Sequence, residues 1–216
     1  MAIAYDTSST SNNGGPTLTY SHTCSGSNRL LVIGIDGPLS GTGNTITSVT
    51  YGGVAMTQVS GSPIDKGGRF FYLYYLVNPT IGANNISVTF SSTDYIAITA
   101  ASYSGVLQTG QPDATNTSQV TSGASNTVAV TTIADRCWVM GASRSASNAT
   151  GQAGTTIRQN AGNALALIDS NQPKTPAGSY TLGLNLTPNQ DNAMIAASFS
   201  PAAEIPSGGS FLNNFI

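Results

Sequence analysis

Apolar and polar residues alternate with a period of two along most of this 216-residue chain. No stretch shows a 3.6-residue apolar stripe between helix caps, so the pattern predicts β-strands throughout. Residues 17–24 set Leu18, Tyr20, His22 and Cys24 against Thr17, Thr19, Ser21 and Thr23, which puts His22 on the apolar face. Residues 29–36 contain the unbroken run Leu30-Leu-Val-Ile33, the mark of a central strand covered on both faces. Residues 45–51 and 54–59 flank Gly52-Gly53, and two glycines between such runs signal a tight hairpin, because glycine reaches positive φ without steric cost. In residues 69–77 large side chains occupy both faces, with Phe71, Leu73, Tyr75 and Val77 on one and Phe70, Tyr72, Tyr74 and Leu76 on the other. Such a strand is central, or has one face in an interface.

With further runs reaching residue 200, the count is about twelve strands. That predicts an all-β fold, an antiparallel jelly-roll-like β-sandwich spanning residues 1–200 as one domain. Two segments read as interruptions. Residues 7–16 look turn-rich, and residues 105–126 hold few large apolar groups, as in a functional loop or a boundary between two small β domains. Beyond residue 200, Pro201, Pro206 and Ser207-Gly-Gly-Ser210 read as a linker. It leads to an apolar C-terminal segment with Phe211, Leu212, Phe215 and Ile216, the candidate partner-binding residues. These are expected to dock on their own domain or on a neighbouring subunit, or to close the core as a last edge strand.

Charge narrows the functional classes. Only 7% of residues are charged, with seven Lys+Arg, nine Asp+Glu and one His. The surface is therefore expected to be built from Ser, Thr, Asn, Gln and Gly, which suits packing beside copies of the same chain. Arg29, Lys66, Arg69, Arg136, Arg144, Arg158 and Lys174 are scattered singly, so no basic stripe for nucleic acid is present. No run approaches 18 apolar residues, and no membrane span is predicted. Residues 1–6 lack the basic and apolar regions of a secretory signal, so no leader is expected.

His22 is the only imidazole, and no Gly-x-Ser-x-Gly elbow accompanies it. The carboxylates Asp6, Asp36, Asp65, Asp94, Asp113, Asp135, Asp169, Asp191 and Glu204 stand mostly at predicted strand ends and turns, where Asp bonds its own backbone. They form neither a glycosidase pair nor a calcium loop. Two cysteines and one histidine do not make a zinc set, and no glycine-rich loop opens a helix to cradle phosphate. No catalytic residue, metal or cofactor is expected, and the chain reads as non-enzymatic. Cys24 and Cys137 read as buried thiols, or as a bridge from the first third of the sheet to its second half. Tyr72, Tyr74, Tyr75, Tyr95, Tyr103 and Trp138 would stack on sugar rings if exposed together on one face. Otherwise they belong to the core or a subunit contact.

Four stretches carry a resemblance. They are Ser48-Val-Thr-Tyr-Gly-Gly-Val-Ala-Met-Thr-Gln58, Leu73-Tyr-Tyr-Leu-Val-Asn-Pro-Thr-Ile-Gly-Ala-Asn-Asn-Ile-Ser-Val-Thr89, Ala101-Ser-Tyr-Ser-Gly-Val-Leu-Gln-Thr-Gly-Gln-Pro-Asp113, and Asp169-Ser-Asn-Gln-Pro through Pro176-Ala-Gly-Ser-Tyr180. In style and strand order they resemble β-rich structural proteins of tailed phages and environmental bacteria. The resemblance implies a bacteriophage virion structural protein, a capsid decoration, head-fibre or tail component. Its expected partners are itself, as a homo-oligomer, and a capsid or other virion protein, with no catalytic residues to carry over. A carbohydrate-binding module or adhesin at a cell surface, with a glycan partner, is the second reading. A self-assembling surface or filament subunit is the third.

Overall fold

A computed structural model describes residues 1–144, 146, 148–162 and 164–203. All regular elements among the described residues are strands, so none of them is a helix that could cross a membrane. Fourteen strands run in the order β1 (Ala4–Cys24), β2 (Leu30–Leu39), β3 (Ile46–Tyr51), β4 (Val54–Ala55), β5 (Thr57–Gln58), β6 (Ile64–Lys66), β7 (Arg69–Val77), β8 (Gly82–Ser104), β9 (Ala114–Thr131), β10 (Trp138–Arg144), β11 (Thr150–Gly151), β12 (Thr156–Ala161), β13 (Leu165–Asp169) and β14 (Ser179–Phe199). They form two antiparallel sheets packed together, as the alternation predicts, with two more strands than the approximate count. The first sheet follows β4-β3-β8-β2-β7-β5, with β1 added to β8 and β6 to β7. The second follows β11-β14-β10-β13-β12, with β9 added to β14.

Both interruptions read from the sequence are largely strand. Residues 7–16 belong to β1, where Gly15 and Pro16 sit at a register shift against β8. The expected long loop at 105–126 is a connection only as far as residue 113, since β9 begins at Ala114 and pairs with β14. Residues 114–125 of β9 are almost all small and polar. Their alternation therefore leaves no hydrophobic trace, although an edge strand needs only backbone partners on one side. The Gly52-Gly53 hairpin forms as predicted, with Tyr51 opposite Val54 and φ of 57° and 82° at the two glycines.

Each sheet curls on itself. Strand β8 keeps β1 on one side along its whole length and exchanges β3 for β2 on the other. The curl closes until the two ends of β1 meet at Asp6, whose carboxylate accepts from the Ser25 amide at 2.8 Å and the Ser102 hydroxyl at 2.7 Å. Leu31, Ile33, Ile35, Tyr51, Ile86, Val88 and Ile98 fill the space inside. In the second sheet, β14 keeps β9 on one side and exchanges β11 for β10. Asp113 closes this curl with the Ile133 amide at 3.2 Å and the Ser198 hydroxyl. Its interior holds Val128, Val130, Val139, Ile168, Leu182 and Leu184.

The two halves of the chain thus repeat one another, with β9 to β14 taking the places of β1, β2, β3, β6, β7 and β8. Leu30 pairs with Tyr103 as Trp138 pairs with Phe199. The repeat extends to sequence, since Ala97-Ile-Thr-Ala-Ala-Ser-Tyr-Ser104 and Ala193-Met-Ile-Ala-Ala-Ser-Phe-Ser200 align without a gap and share five of eight residues. Between the halves lies a third core of Leu30, Val32, Phe71, Leu73 and Tyr103 against Trp138, Met140, Leu165, Ile195 and Phe199. Equivalent residues touch across it. A methyl group added at Gly34 would lie 2.8 Å from the Cβ of its counterpart Ala142. Contact between equivalent positions marks a two-fold relation, here internal to one chain.

Candidate functional site

Several ionisable side chains that look isolated along the sequence meet at or beside the junction between halves. Arg144 on β10 donates from Nε to Asp36 on β2 at 2.7 Å. Arg69 on β7 lies 3.8 Å from the same carboxylate and 3.0 Å from Asp94. Burial raises the Asp36 carboxyl, and Arg144 and then Arg69 oppose that shift. A second group joins Arg158 Nε to the fully buried Asp169 at 2.6 Å, and Tyr103 Oη donates to the same carboxylate at 2.9 Å. The Arg158 guanidinium also stacks 4.2 Å above the Tyr5 ring. Asp169 does end β13, as expected, whereas Asp36 lies inside β2, three residues before its end; both face inward and carry structural ion pairs. Buried charges of this kind require partners, because an unpaired one costs several kcal/mol, roughly 3–5.

His22 sits inside the first curl, 2% exposed. Its Nδ1 lies 2.7 Å from Ser9 Oγ, its ring meets Tyr51 edge-on, and its Nε2 has no partner. Burial lowers its pKa to about 4, while Asp6 pulls the other way. A neutral imidazole closed off by its own sheet suits packing rather than proton transfer to a substrate. Cys24 and Cys137 are both free and buried, which removes the bridge. Burial raises both thiols, Cys137 to about 11. Among the described residues, no group of three or more His, Cys, Asp or Glu side chains converges.

An open recess of about 280 Å³ lies in the seam of the first sheet, between β3 and the β5–β7 side. Ile46, Val49, Ala55, Met56 and Tyr74 line it, together with Thr and Ser side chains. Its single ionisable group, the Tyr74 hydroxyl, is pushed up to about 12 by burial and donates to Gln58 at 2.9 Å.

The structure separates the aromatics read as a candidate sugar platform. Tyr72, Tyr74, Tyr103 and Trp138 are buried, Tyr75 is half-buried with its hydroxyl on the Gln111 carbonyl, and Tyr95 alone of the six is 44% exposed. Phe211, Leu212, Phe215 and Ile216 lie outside the described residues. The point from which they are reached is well defined. Ala202 donates its amide to Gly105 and accepts from the Met1 nitrogen, which fixes the chain at the end of the molecule where β8 finishes. Met1, Leu107 and Ile133 are open to solvent at 46%, 37% and 72%.

No family model, no curated protein and no solved structure matches this chain.

Proposed function

We propose that this chain is a non-enzymatic structural protein on the exterior of a tailed-phage virion, a capsid decoration protein or a related component that acts through subunit packing. The observation that carries the reading is where the charge sits. Asp36 and Arg144 pair across the junction between the halves, Asp169 and Arg158 reach across it to Tyr103 and Tyr5, and the open recess is lined without a carboxylate, imidazole or amine. Most of what remains outside is Ser, Thr, Asn, Gln and Gly, with single charges such as Asp65, Asp135 and Arg136 between them. Strands β1 and β9 each pair on one side only, and β9 runs 18 residues without a charge or a proline. Proteins that stay alone usually blunt such edges with Lys, Pro or bulges. β9 has neither Lys nor Pro, and the register shifts opposite residues 120–125 are its one such device, which suits a subunit that meets neighbours.

Sedimentation velocity over a range of concentrations, paired with negative-stain microscopy, tests the reading. Discrete oligomers, or ordered arrays that weaken when residues 205–216 are deleted, are expected. A chain that stays monomeric at high concentration and is retained on a polysaccharide panel would overturn it in favour of a glycan-binding module.

A further inference from the structure

We infer that the seam beside β3 is a docking site for one extended, uncharged segment of a different polypeptide, which adds to the first sheet as a strand. Strand β3 pairs with β8 on one side from Ile46 to Tyr51. On its other side only Thr50 and Tyr51 meet β4, and the Val49 carbonyl accepts from the Met56 amide at 2.9 Å. Among the described residues, nothing pairs with that side of Ile46, Thr47 and Ser48. Across the seam, β5 pairs only with β7, through Thr57 and Gln58. The 280 Å³ recess opens between these walls. Backbone N–H and C=O groups left in a row along a strand edge are completed best by another backbone, which makes the occupant a strand.

The lining selects the side chains of that strand. Val49, Met56 and Tyr74 belong to the core inside the first curl, and Ile46 packs against it, so a side chain entering the recess extends an apolar core. Thr47, Ser48 and Ala55 are exposed at its rim, and the lining holds no carboxylate or amine to receive a charged residue. Three unpaired residues cover roughly 10 Å of strand, enough for a short segment with aliphatic side chains at alternate positions. The volume falls below the roughly 300–1,000 Å³ of small-molecule sites, which favours a side chain over a free ligand. In the second half the strand in the place of β3, β11, is two residues long; the bare edge comes with the longer β3. Every described strand is already paired within its own subunit, so a folded second copy has no spare strand among the described residues to offer. The inference deepens the assembly reading and rests on it for the source of the strand, a neighbouring virion subunit.

A library of displayed random nonapeptides, selected on the full chain, tests the site. Enriched peptides are expected to carry Val, Ile or Leu at alternate positions with no charge between them. The enriched peptide, made synthetically, should slow hydrogen exchange at residues 46–48 of the parent chain. Its binding should weaken about tenfold or more in Ser48→Lys and in Ala55→Trp, which guard or fill the seam from exposed positions. Ile133→Lys, at an exposed position outside the first sheet, should leave binding unchanged. The exchange pattern is read on the parent chain, so it decides the matter even where a variant loses stability. No enrichment over the Ala55→Trp chain, or enriched peptides that bind both rim variants as tightly as the parent, would overturn the inference. Self-association that Ser48→Lys abolishes, with no peptide bound, would overturn it too and make a second copy the occupant. A chain that stays monomeric and joins no particle while peptides still enter the seam sinks the assembly reading alone. Assembly undisturbed by both rim variants, with no peptide selected, sinks this inference alone.

Discussion

Asp36 and Arg144 occupy equivalent positions in the two halves of the chain, and they bond to each other at 2.7 Å. Leu30 and Trp138 hold matching registers on β8 and β14, and six residues on from each lie Asp36 and Arg144. A duplicated chain that places an acid at one position and a base at its counterpart turns like-charge repulsion at a two-fold contact into attraction. Asp36→Ala is expected to destabilise the fold by about 3–5 kcal/mol, because it strips the carboxylate from the buried Arg144 guanidinium, while Arg69 keeps Asp94. Asp36→Leu with Arg144→Met should recover much of that loss. Urea denaturation checks both, and a single variant with an unshifted midpoint would show that the pair is not buried in solution.

Gly34 and Ala142 approach closely across the same contact. A side chain at Gly34 meets Ala142 Cβ at 2.8 Å and Thr99 Oγ1 at 3.2 Å. Gly34→Ala should therefore force the sheets apart and cost about 1–3 kcal/mol. Adding Ala142→Gly to that variant should restore part of the stability. Thermal unfolding of the two variants distinguishes this coupling from a local effect, since independent sites would show no rescue.

Stability should fall with acid through His22. Burial holds the folded imidazole near 4 against an ordinary value of 6.5, so between those two pH values the unfolded chain binds a proton that the folded chain refuses. The contribution is complete above pH 6.5, declines as pH falls toward 4, and amounts to at most about 3 kcal/mol. His22→Gln should flatten this part of the profile, measured by denaturant unfolding at several pH values. A profile identical to that of the parent would assign the acid sensitivity elsewhere.

Both thiols should be silent in the native state. Cys24 and Cys137 are fully buried, and burial raises their pKa, Cys137 to about 11. Only the thiolate reacts, so a disulfide-exchange reagent at pH 8 is expected to label neither until denaturant is added. Rapid labelling of one equivalent in native buffer would show that one of the two sites opens.

Much of the strand placement is legible one residue at a time. Leu30-Leu-Val-Ile33 reads as a doubly covered strand because both its faces do meet apolar layers, Leu30 and Val32 between the halves and Leu31 and Ile33 inside the first curl. Strand β9 is illegible by the same logic, because residues 114–125 carry polar groups on both faces. The internal repeat leaves one clear trace, Ala97–Ser104 against Ala193–Ser200, and it is easily passed over because small residues are common throughout the chain. The partner-binding candidates Phe211, Leu212, Phe215 and Ile216 stand out by composition alone, whereas the open seam beside β3, which joins residues of separate strands, does not.

The β class, the Gly52-Gly53 hairpin and the burial of His22 follow from local alternation and backbone sterics, which act over a few residues and need no knowledge of the rest. The curl of each sheet, the two-fold relation between halves and the Asp36–Arg144 bond were decided in three dimensions. They join residues about a hundred positions apart, and only the close approach of two buried faces tells a charge which distant partner must neutralise it.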